Sequence, residues 1–457
     1  MRVIRIENLA HVVTVDDDFT ILANATIEIT DGVVSALHPH PHPHPHPHPE
    51  TQLPRHAEAD LQVVDGRGKL AMPGLVNLHT HLPMTLLRGL AENVDLQGFL
   101  RIVWAAEGAV MDPDTVRVGA ELGALESLLA GVTTTLDMYF HHEAAHEGAV
   151  ATGARHVGGP VFFDGPGPDG LAWAQRLDAL AAWPERLRAI GGPTVPVAAM
   201  PHSTYTCSPD HLAEVCRVLT SQRTDRRLVH VHASENAAEN ADVLTRLGAT
   251  PTQILAGAGL LDGAPSVLGH GVHLSAADRA LVAAAGASVA HCPGSNLKLA
   301  SGALPWTTVA ADGIRLGLGT DGCSSSNDLD LWQTMRQTAL LARLTSADPT
   351  AAPAVDIIRA ATIDGARALG LGDLIGSLEV GKRADLILLD LDAPHLTPIH
   401  DLPALLVFAA GRGDVTDAFV DGRHVVHDRR SNLIDTSVLL RRARERGLVA
   451  ADAARDA

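Results

Sequence analysis

Residues 73 to about 370 repeat one pattern, in which a short apolar run is followed by a stretch of helical periodicity. Eight apolar runs are predicted as strands, at 75–82, 133–139, 156–163, 195–202, 228–234, 266–273, 288–292 and 315–321. Helix signals lie between them, at 114–130, 209–220, 275–285 and 329–343. No Gly-x-Gly-x-x-Gly turn follows the first run. The pattern therefore predicts an α/β fold of the TIM-like (β/α)8 barrel type rather than an open doubly wound sheet.

The two ends of the chain carry a different pattern, with short alternating strands and turn signals. Strand character covers residues 1–70 and returns after residue 375. Neither end has enough strands for a stable sheet of its own, so both ends are expected to pair into one small β-sandwich. Three parts are predicted. Residues 1–70 and 375–435 form the composite β-sandwich, residues 71–374 form the barrel, and residues 436–457 form a helical tail.

A low-complexity run alternates histidine and proline from His38 to Pro49. Proline at every second position removes backbone donors, so the run is predicted to be an extended surface loop outside any helix or sheet. Its six histidines could also bind metal. This leaves a non-enzymatic metal-binding protein as a remote alternative function.

Composition limits the partners and the compartment. The formal net charge of −18 argues against nucleic acid or an anionic membrane as a partner. The four cysteines form no Cys-x-x-Cys pair, and no apolar run reaches the length of a membrane span. We therefore expect a cytoplasmic protein that acts on a small molecule. The number of subunits stays open, a homo-oligomer included.

Four side chains at the ends of predicted strands form a candidate metal site. His79 and His81 are separated by one residue, so they share one face of the first strand. His232 and Asp321 end the fifth and eighth strands, and barrel enzymes place their chemistry at such ends. Three imidazoles and one carboxylate suit one divalent ion, with Zn²⁺ favoured and Fe²⁺ as the alternative.

The absence of a suitable lysine favours a single ion. Two-ion barrels of this sort need a bridging ligand, usually a carboxylated lysine at the end of the fourth strand. That strand ends at His202, and none of the three lysines, Lys69, Lys298 and Lys382, lies near it in the sequence.

Two further residues, together with Asp321, suit a hydrolase built on such an ion, which lowers the pKa of bound water to about 7. Asp321 can take a proton from the water in addition to binding the ion. Glu235 follows His232 by three residues and can face the substrate from the turn. His270 ends the sixth strand, where it can orient the water or polarise the reacting carbon. Glu235, His270 and Asp321 are therefore the predicted catalytic residues.

Five segments together resemble the amidohydrolase superfamily, in particular its branch of methylthioadenosine/S-adenosylhomocysteine deaminases and triazine chlorohydrolases. These segments are Pro73–Gly89, Pro201–Tyr205, His232–Glu235, His291–Gly302 and Leu318–Asn327. The resemblance runs through nearly the whole chain and is less specific for the substrate than for the superfamily. It implies that His79, His81, His232 and Asp321 bind the metal.

The resemblance also implies roles toward the substrate. Glu235 would carry a proton to a ring nitrogen, and His270 would be a partner of the metal-bound water. His202 and Asn296 would contact the substrate. Glu107 falls where related nucleoside deaminases use a glutamate on the ribose hydroxyls.

One departure from the resemblance bears on the substrate. Relatives that bind homocysteine have an arginine in a Thr-Arg-Gly just after the third strand, whereas this chain has Val157–Val161 there, and Arg155 lies at the other end of that strand. A substrate without a carboxylate tail is therefore favoured, such as adenosine, methylthioadenosine or a free heterocyclic base. The predicted reaction is hydrolytic deamination with release of ammonia. Cyclic amide hydrolysis or dechlorination at the same site is the alternative.

Overall fold

The computed structural model describes residues 1–40, 60–94 and 96–455. Its N-terminal strands are β1 (Arg2–Val13), β2 (Ile21–Thr30), β3 (Val33–Pro39), β4 (Asp60–Asp65) and β5 (Lys69–Pro73). The middle of the chain forms β6 (Leu75–Thr80), β7 (Val132–Asp137), β8 (Arg155–Gly158), β9 (Val161–Phe162), β10 (Val197–Pro201), β11 (Arg227–Ala233), β12 (Ser266–His270), β13 (Ser288–His291) and β14 (Arg315–Leu318). The C-terminal strands are β15 (Leu386–Asp390), β16 (Val415–Val420), β17 (Arg423–His427) and β18 (Arg430–Ser431).

Helices separate most of the strands. They are α1 (Leu96–Val110), α2 (Pro113–Leu129), α3 (His142–Ala151), α4 (Trp173–Ile190), α5 (Pro209–Ser221), α6 (Ala237–Leu247), α7 (Pro251–Gly257), α8 (Ala276–Ala285), α9 (Pro293–Lys298), α10 (Trp306–Ala311), α11 (Leu331–Ser346), α12 (Ala354–Ala360), α13 (Ile363–Ala368), α14 (Leu402–Phe408) and α15 (Thr436–Arg455). Two 3₁₀ helices cover Leu82–Leu87 and Pro394–Leu396. The four helices predicted from the sequence correspond to α2, α5, α8 and α11.

The middle strands pair in parallel, as the alternation of strands and helices predicted. β6, β7 and β8 form one sheet, and β9 to β14 form a second sheet in sequence order from β14 back to β9. The third predicted strand is split, because Gly159 and Pro160 separate β8 from β9. A Cβ atom at Gly159 would lie 2.0 Å from the carbonyl oxygen of Ala198, so only glycine allows this close approach.

Strands from both ends of the chain form one sheet. This pairing is expected because neither end has enough strands for a stable sheet of its own. Its order is β18-β17-β16-β15-β5-β1-β2-β3, with β4 also paired to β1. The two ends meet where β15 runs antiparallel to β5. The coarse α/β architecture is thus confirmed. The division of the terminal sheet into two packed layers stays a prediction, as do the domain boundaries.

The terminal sheet contributes to two hydrophobic cores, which follows from the alternation of side chains along a strand. In β15, Ile387 and Leu389 belong to the large core that includes the parallel strands. Leu386 and Leu388 point the other way, into a smaller core formed mainly by β1 and β2. The sheet therefore connects the termini to the parallel strands through continuous packing.

The start of the histidine–proline run corrects one prediction. β3 extends through His38 and Pro39, which pair with Thr26 and Ala25 of β2, so these first residues do join a sheet. The physical reason is that β3 is an edge strand, where proline is tolerated because one side of the strand needs no partner. The rest of the run from residue 41 lies outside the described residues.

Helix α15 closes the described chain and packs against α1, α2 and the 3₁₀ helix Leu82–Leu87. The segment predicted as a helical tail is therefore packed against other helices, and its separation as a domain stays a prediction. In the part of the chain that the structure describes, no helix is both long and apolar enough to cross a membrane.

A buried ion pair joins the first parallel sheet to the segment before β15. The Nε and Nη2 atoms of Arg155 each donate to the carboxylate of Asp385 at 2.9 Å. A third donor comes from the backbone N–H of Asp421 at 2.7 Å. The two side chains of the pair are 0% and 2% exposed, so water cannot replace either partner.

Replacing Asp385 with alanine should lower the free energy of unfolding by about 3–5 kcal/mol, because the buried Arg155 would lose its two short hydrogen bonds to a carboxylate and keep the longer 3.5 Å contact with Asp421. Urea denaturation followed by tryptophan fluorescence measures the change. Asp242→Ala, which breaks an exposed pair with Arg246, is the control and should cost no more than about 0.5 kcal/mol. Equal effects of the two variants would contradict this role of the buried pair.

Candidate active site

Four predicted ligand residues meet at the carboxyl ends of parallel strands. The Nε2 atoms of His79 and His81 lie 3.3 and 3.2 Å from Oδ1 of Asp321. Nε2 of His232 lies 3.4 Å from Nε2 of His81. We call these four residues, His79, His81, His232 and Asp321, the strand-end cluster. All four are at least nine-tenths buried, so their polar atoms depend on one another or on a bound ligand.

We call Nδ1 the rear nitrogen of each imidazole in the cluster. In two of these rings, the partner of the rear nitrogen determines which nitrogen has the lone pair. Nδ1 of His81 lies 2.6 Å from the carbonyl oxygen of Met138, and Nδ1 of His232 lies 2.8 Å from that of His202. A carbonyl oxygen only accepts, so each Nδ1 carries a proton, and when either ring is neutral its lone pair is on Nε2. Nε2 of His79 is buried without a hydrogen-bond partner. Three Nε2 atoms therefore converge as potential ligands.

The carboxylate of Asp321 is held by donors on both oxygens. Oδ2 accepts hydrogen bonds from the hydroxyls of Ser295 at 2.6 Å and Ser325 at 2.8 Å. Oδ1 accepts from the backbone N–H of Gly322 at 2.8 Å. These donors favour the charged form and orient Oδ1 toward the imidazoles.

The pKa of Asp321 lies well below its usual value. Burial alone would raise this pKa, but the close contact of Oδ1 with the imidazoles of His79 and His81 lowers it by more. The carboxylate is therefore ionised at neutral pH and requires a nearby cation or proton.

The loop that carries Asp321 is fastened to β6, the strand of His79. The backbone N–H of Asp321 donates to the carbonyl oxygen of His79 at 3.0 Å. The amide of Asn77 accepts from the backbone N–H of Thr320 at 3.1 Å and donates to its hydroxyl at 2.8 Å. A Cβ atom at Gly319 would lie 2.8 Å from Cβ of His79, so glycine permits this contact.

Three site residues have left-handed backbone conformations directly at or after strand ends. Their φ angles are +54° for Ser234, +70° for His270 and +61° for Asp321. Such conformations are uncommon for residues other than glycine and cluster at functional sites. They turn the side chains that follow each strand toward the strand-end cluster.

Glu235 and His270 lie beside the cluster. Oε2 of Glu235 lies 3.9 Å from Nε2 of His270, and the pKa of Glu235 is raised by burial. Nδ1 of His270 lies 2.9 Å from Oδ1 of Asn296. The carboxylate of Glu239 accepts a hydrogen bond from the backbone N–H of Glu235 at 2.7 Å, which fixes the turn that carries this residue.

A cavity opens onto these groups. Its wall is mostly apolar and aromatic, as in many small-molecule sites. The lining residues are His81, Met84, Phe99, Leu100, Val103, Trp104, Glu107, Met138, Tyr139, Phe140, Val161, Phe163, His202, Tyr205, His232, Glu235, His270, Leu299 and Asp321. The predicted residues Glu107, His202, Glu235, His270 and Asp321 therefore share one cavity.

Glu107 lines the cavity from α1. Its Oε1 accepts a hydrogen bond from the hydroxyl of Tyr139 at 2.6 Å, whereas Oε2 is buried without a partner. Burial raises the pKa of Glu107 to about 7. An oriented carboxyl with one free oxygen is suited to accept hydrogen bonds from hydroxyl groups of a bound molecule.

His202 lies between aromatic rings. Its ring centroid is 4.5 Å from that of Phe163 and 6.3 Å from that of Trp104. Its Nδ1 contacts the hydroxyls of Ser203 and Thr206 at 3.2 Å, which holds the ring in place. This arrangement offers stacking surface and a polar edge to a flat heterocycle.

Asn296, like His79, is a predicted site residue that does not line the cavity. It lies behind His270, and its amide nitrogen is buried without a partner. Contact between Asn296 and a substrate stays a prediction, while the hydrogen bond to His270 is what the structure contains.

Sequence reasoning missed several residues that hold the predicted ones. They include Tyr139 behind Glu107, Glu239 behind Glu235 and His230 behind His79. A signal existed for one of them, because His230 and His232 repeat the one-residue spacing of His79 and His81. Tyr139 and Glu239 carry no comparable spacing.

A second group of ligand-type side chains lies in the terminal sheet. Oδ1 of Asp417 is 2.9 Å from ring nitrogens of both His424 and His427. However, Oδ2 of Asp417 is 2.7 Å from Nζ of Lys69, and a positive charge there opposes a metal cation. We interpret this group as a stabilising ion-pair network.

The donor set of the strand-end cluster fits a divalent ion. Its nitrogen and oxygen atoms form two overlapping groups, each with all ligand atoms within 4.8 Å of one another, and His270 joins one of these groups. Without a bound ion, the buried Nε2 of His79 would have no partner, which is unfavourable for a buried polar atom. Imidazole nitrogen with one carboxylate is a donor set typical of Zn²⁺ and of Fe²⁺.

Strand-end imidazoles and a carboxylate, beside a buried glutamate in an apolar cavity, are the arrangement of a metal-dependent hydrolase on parallel strands. The chain belongs to the amidohydrolase family, whose model matches residues 70–425. It is therefore a hydrolytic enzyme that acts on carbon–nitrogen bonds.

Individual relatives agree with this membership. A protein from Desulforudis audaxviator named 5-methylthioadenosine/S-adenosylhomocysteine deaminase is 39% identical over 398 residues, which cover 86% of this chain and 89% of that protein. A protein of the same name from Thermococcus kodakarensis is also 39% identical, over 80% of this chain and 84% of its own.

Solved structures share the fold. An adenosine deaminase from Xanthomonas campestris with bound zinc has a TM-score of 0.89 and 34% identity, covering 100% of this chain and 99% of its own. A variant of atrazine chlorohydrolase from Arthrobacter aurescens has a TM-score of 0.83 and 24% identity, covering 97% and 100%. The second likeness shows the fold alone.

Replacing His232 with alanine should weaken zinc binding by more than the 10–100-fold typical of losing an outer partner, because a direct ligand would be removed. Competition against a chromogenic chelator measures the affinity. His211→Ala alters a histidine that pairs with Asp164 outside the cavity, and this control should bind zinc as the unsubstituted protein does. Unchanged affinity of His232→Ala would contradict the assignment.

Proposed function

We propose that this chain is a metal-dependent hydrolytic deaminase that releases ammonia from an amino-substituted nitrogen heterocycle, with adenosine-like nucleosides as the preferred class. The observation that carries the proposal is one cavity that contains a proton-transfer group, Glu235, and a buried carboxyl suited to hydroxyl groups, Glu107. The deaminases at 39% identity and the adenosine deaminase at 34% identity support the same class of substrate.

The strand-end cluster would hold one divalent ion, most simply Zn²⁺, through Nε2 of His79, His81 and His232 and Oδ1 of Asp321. The zinc bound in the Xanthomonas campestris relative supports this choice. When bound, such an ion supplies a Lewis acid that makes water nucleophilic at neutral pH. The protonated rear nitrogens leave the three rings ready to bind without changing their tautomers.

The proposed reaction adds water to the amino-bearing carbon and expels ammonia. Glu235 is suited to protonate the adjacent ring nitrogen, because burial raises its pKa and thus its ability to hold a proton. Asp321 would take a proton from the attacking water. His270, whose Nδ1 contacts Oδ1 of Asn296, would orient that water through Nε2. Asp321 would pass that proton to the amino group so that ammonia leaves, and the hydroxyl proton left on the carbon-bound oxygen would return to Glu235.

Recognition of the substrate would fall to a different set of side chains. Glu107, oriented by Tyr139, would accept hydrogen bonds from ribose hydroxyls through its free oxygen. Trp104, Phe163 and His202 would contact the faces and edges of the heterocycle. The apolar wall would exclude bulk water from the reacting carbon.

Charge in the cavity favours a substrate without a carboxylate tail. Among the described residues that line it, none is lysine or arginine, and three are acidic. The guanidinium of Arg176 lies 6.0 Å from the ring of Phe163, but it is paired with Asp169 at 2.6 Å. Adenosine, methylthioadenosine and free bases would therefore fit better than S-adenosylhomocysteine, whose carboxylate would find no free cation there.

Dechlorination or cyclic amide hydrolysis would use the same site. The likeness to atrazine chlorohydrolase at 24% identity shows the fold and favours neither bond. Free ammonia, chloride and a ring-opened product are chemically distinct, so their release from a substrate panel separates the three reactions.

We also infer that the two parallel sheets close into one eight-stranded barrel, in which β8 and β9 together serve as the third strand. Two backbone hydrogen bonds support this inference. Met200 of β10 donates to Pro160 between β8 and β9 at 3.0 Å, and Asp321 after β14 donates to His79 of β6 at 3.0 Å. A composite terminal domain, a cytoplasmic location and a small-molecule substrate without a nucleic-acid or membrane partner complete the proposal.

Replacing Glu235 with glutamine should leave zinc content unchanged and reduce ammonia release by roughly 10²–10⁴, because an amide cannot transfer the proton. Zinc analysis and a steady-state ammonia assay with adenosine measure both quantities. Glu121→Gln is the control, since this buried glutamate faces Arg442 on α15 and does not line the cavity. Near-normal turnover of Glu235→Gln would exclude the proposed role.

Replacing Glu107 with leucine should lower kcat/KM for a nucleoside by roughly 10–100-fold, the loss typical of hydrogen bonds to a charged group. A free base lacks the ribose hydroxyls, so its slower deamination should change far less. Both rates can be measured in the same variant preparation, which controls for folding. An equal loss for nucleoside and base would contradict a contact with ribose.

A further inference from the structure

His79 differs from the other two imidazoles of the strand-end cluster in what holds its rear nitrogen. His81 and His232 donate from Nδ1 directly to backbone carbonyl oxygens. Nδ1 of His79 instead lies 2.7 Å from Nε2 of a fourth imidazole, that of His230. The orientation of His79 therefore depends on a side chain that is not itself part of the cluster.

The other nitrogen of His230 resolves which atom carries each proton. Nδ1 of His230 lies 2.9 Å from the carbonyl oxygen of Val267, which can only accept, so the proton is on Nδ1. His230 is fully buried, and among the described residues no carboxylate lies within ion-pair distance of it, so a neutral ring is favoured. Its Nε2 then has only a lone pair to offer.

The chain of hydrogen bonds continues into the cluster. Because Nε2 of His230 accepts, Nδ1 of His79 must donate, and the neutral His79 ring has its lone pair on Nε2. That atom lies 3.3 Å from Oδ1 of Asp321 and has no other partner. The backbone carbonyl of Val267 thus determines, through the rings of His230 and His79, that the lone pair of His79 is on Nε2, the potential ligand atom.

We propose that His230 is a positioning residue that fixes both the tautomer and the ring orientation of His79 for metal binding. The inference rests on the proposed function, because it takes His79 as a ligand. A metal-binding histidine usually donates its second N–H to a carboxylate, a carbonyl or water, and the loss of that partner typically weakens the metal 10–100-fold. Here a buried neutral imidazole takes that place.

The strand geometry explains how one segment can serve two purposes. His230 and His232 both belong to β11 and are two residues apart, so they share a face of the strand. His232 presents Nε2 to the cluster, while the ring centroid of His230 lies 4.8 Å from that of His79. A shift of β11 would therefore displace a ligand and the partner of a second ligand together.

Two substitutions separate hydrogen bonding from packing. His230→Phe keeps a buried ring of similar size and removes the acceptor. His230→Gln keeps an acceptor oxygen near the position of Nε2. His291→Leu is the control, because His291 is buried on the nearby strand β13 and its Nδ1 has no hydrogen-bond partner.

The experiment measures zinc affinity of the full-length protein by competition with a chromogenic chelator, and thermal unfolding of each metal-free variant. We expect His230→Phe to weaken zinc by 10–100-fold, with His230→Gln closer to the unsubstituted protein and His291→Leu unchanged. Unchanged affinity of His230→Phe would overturn the proposal. An equal loss in His230→Gln or in His291→Leu would also overturn it, since packing or general destabilisation would then explain the effect.

One further variant distinguishes failure of this inference from failure of the proposed metal site. His79→Ala should bind zinc at least as weakly as His230→Phe, because it lacks the ligand itself. If His79→Ala binds zinc as tightly as the unsubstituted protein, the proposed ligand set fails and the role of His230 fails with it. If His79→Ala loses zinc and His230→Phe does not, only the role of His230 is excluded.

Discussion

The candidate active site depends on the attachment of the Asp321 loop to β6. Asp321 follows the last strand of the parallel series, and His79 lies on the first, so 242 positions of sequence separate two side chains that must meet. The backbone N–H of Asp321 donates to the carbonyl of His79, and the amide of Asn77 holds Thr320. These bonds tolerate no bulk between the strands, which is why glycine stands at 319. The carboxylate is thereby placed against the imidazoles of His79 and His81.

A second requirement is that buried imidazoles point lone pairs rather than protons at a common space. Each ring of the cluster satisfies it through the partner of its rear nitrogen, a carbonyl oxygen for His81 and His232 and another imidazole for His79. The carboxylate of Asp321 is oriented in the same way, since the hydroxyls of Ser295 and Ser325 donate to the oxygen that faces away from the rings. The site is thus preorganised by donors and acceptors one layer behind the reacting groups.

Much of this could be predicted from the sequence, and the reason is periodicity. Spacing of two placed His79 and His81 on one face, and the repeated strand and helix pattern placed His232, His270 and Asp321 at strand ends. The supporting layer could not be predicted in the same way. Tyr139 meets Glu107 and His230 meets His79 only because neighbouring elements are packed at particular distances, which local sequence does not encode. Pro39 shows a related limit, because tolerance of proline depends on the position of a strand at the sheet edge.

The packing of α15 against α1 has a consequence for how such an enzyme can change. The groups proposed for chemistry lie at the ends of the parallel strands or directly after them, whereas Glu107 and Trp104 belong to α1, which packs against the last helix of the chain. Substrate recognition and catalysis therefore depend on different structural elements. Substitutions where α15 contacts α1 could change which nucleosides the enzyme accepts, while the groups that break the carbon–nitrogen bond stay unchanged.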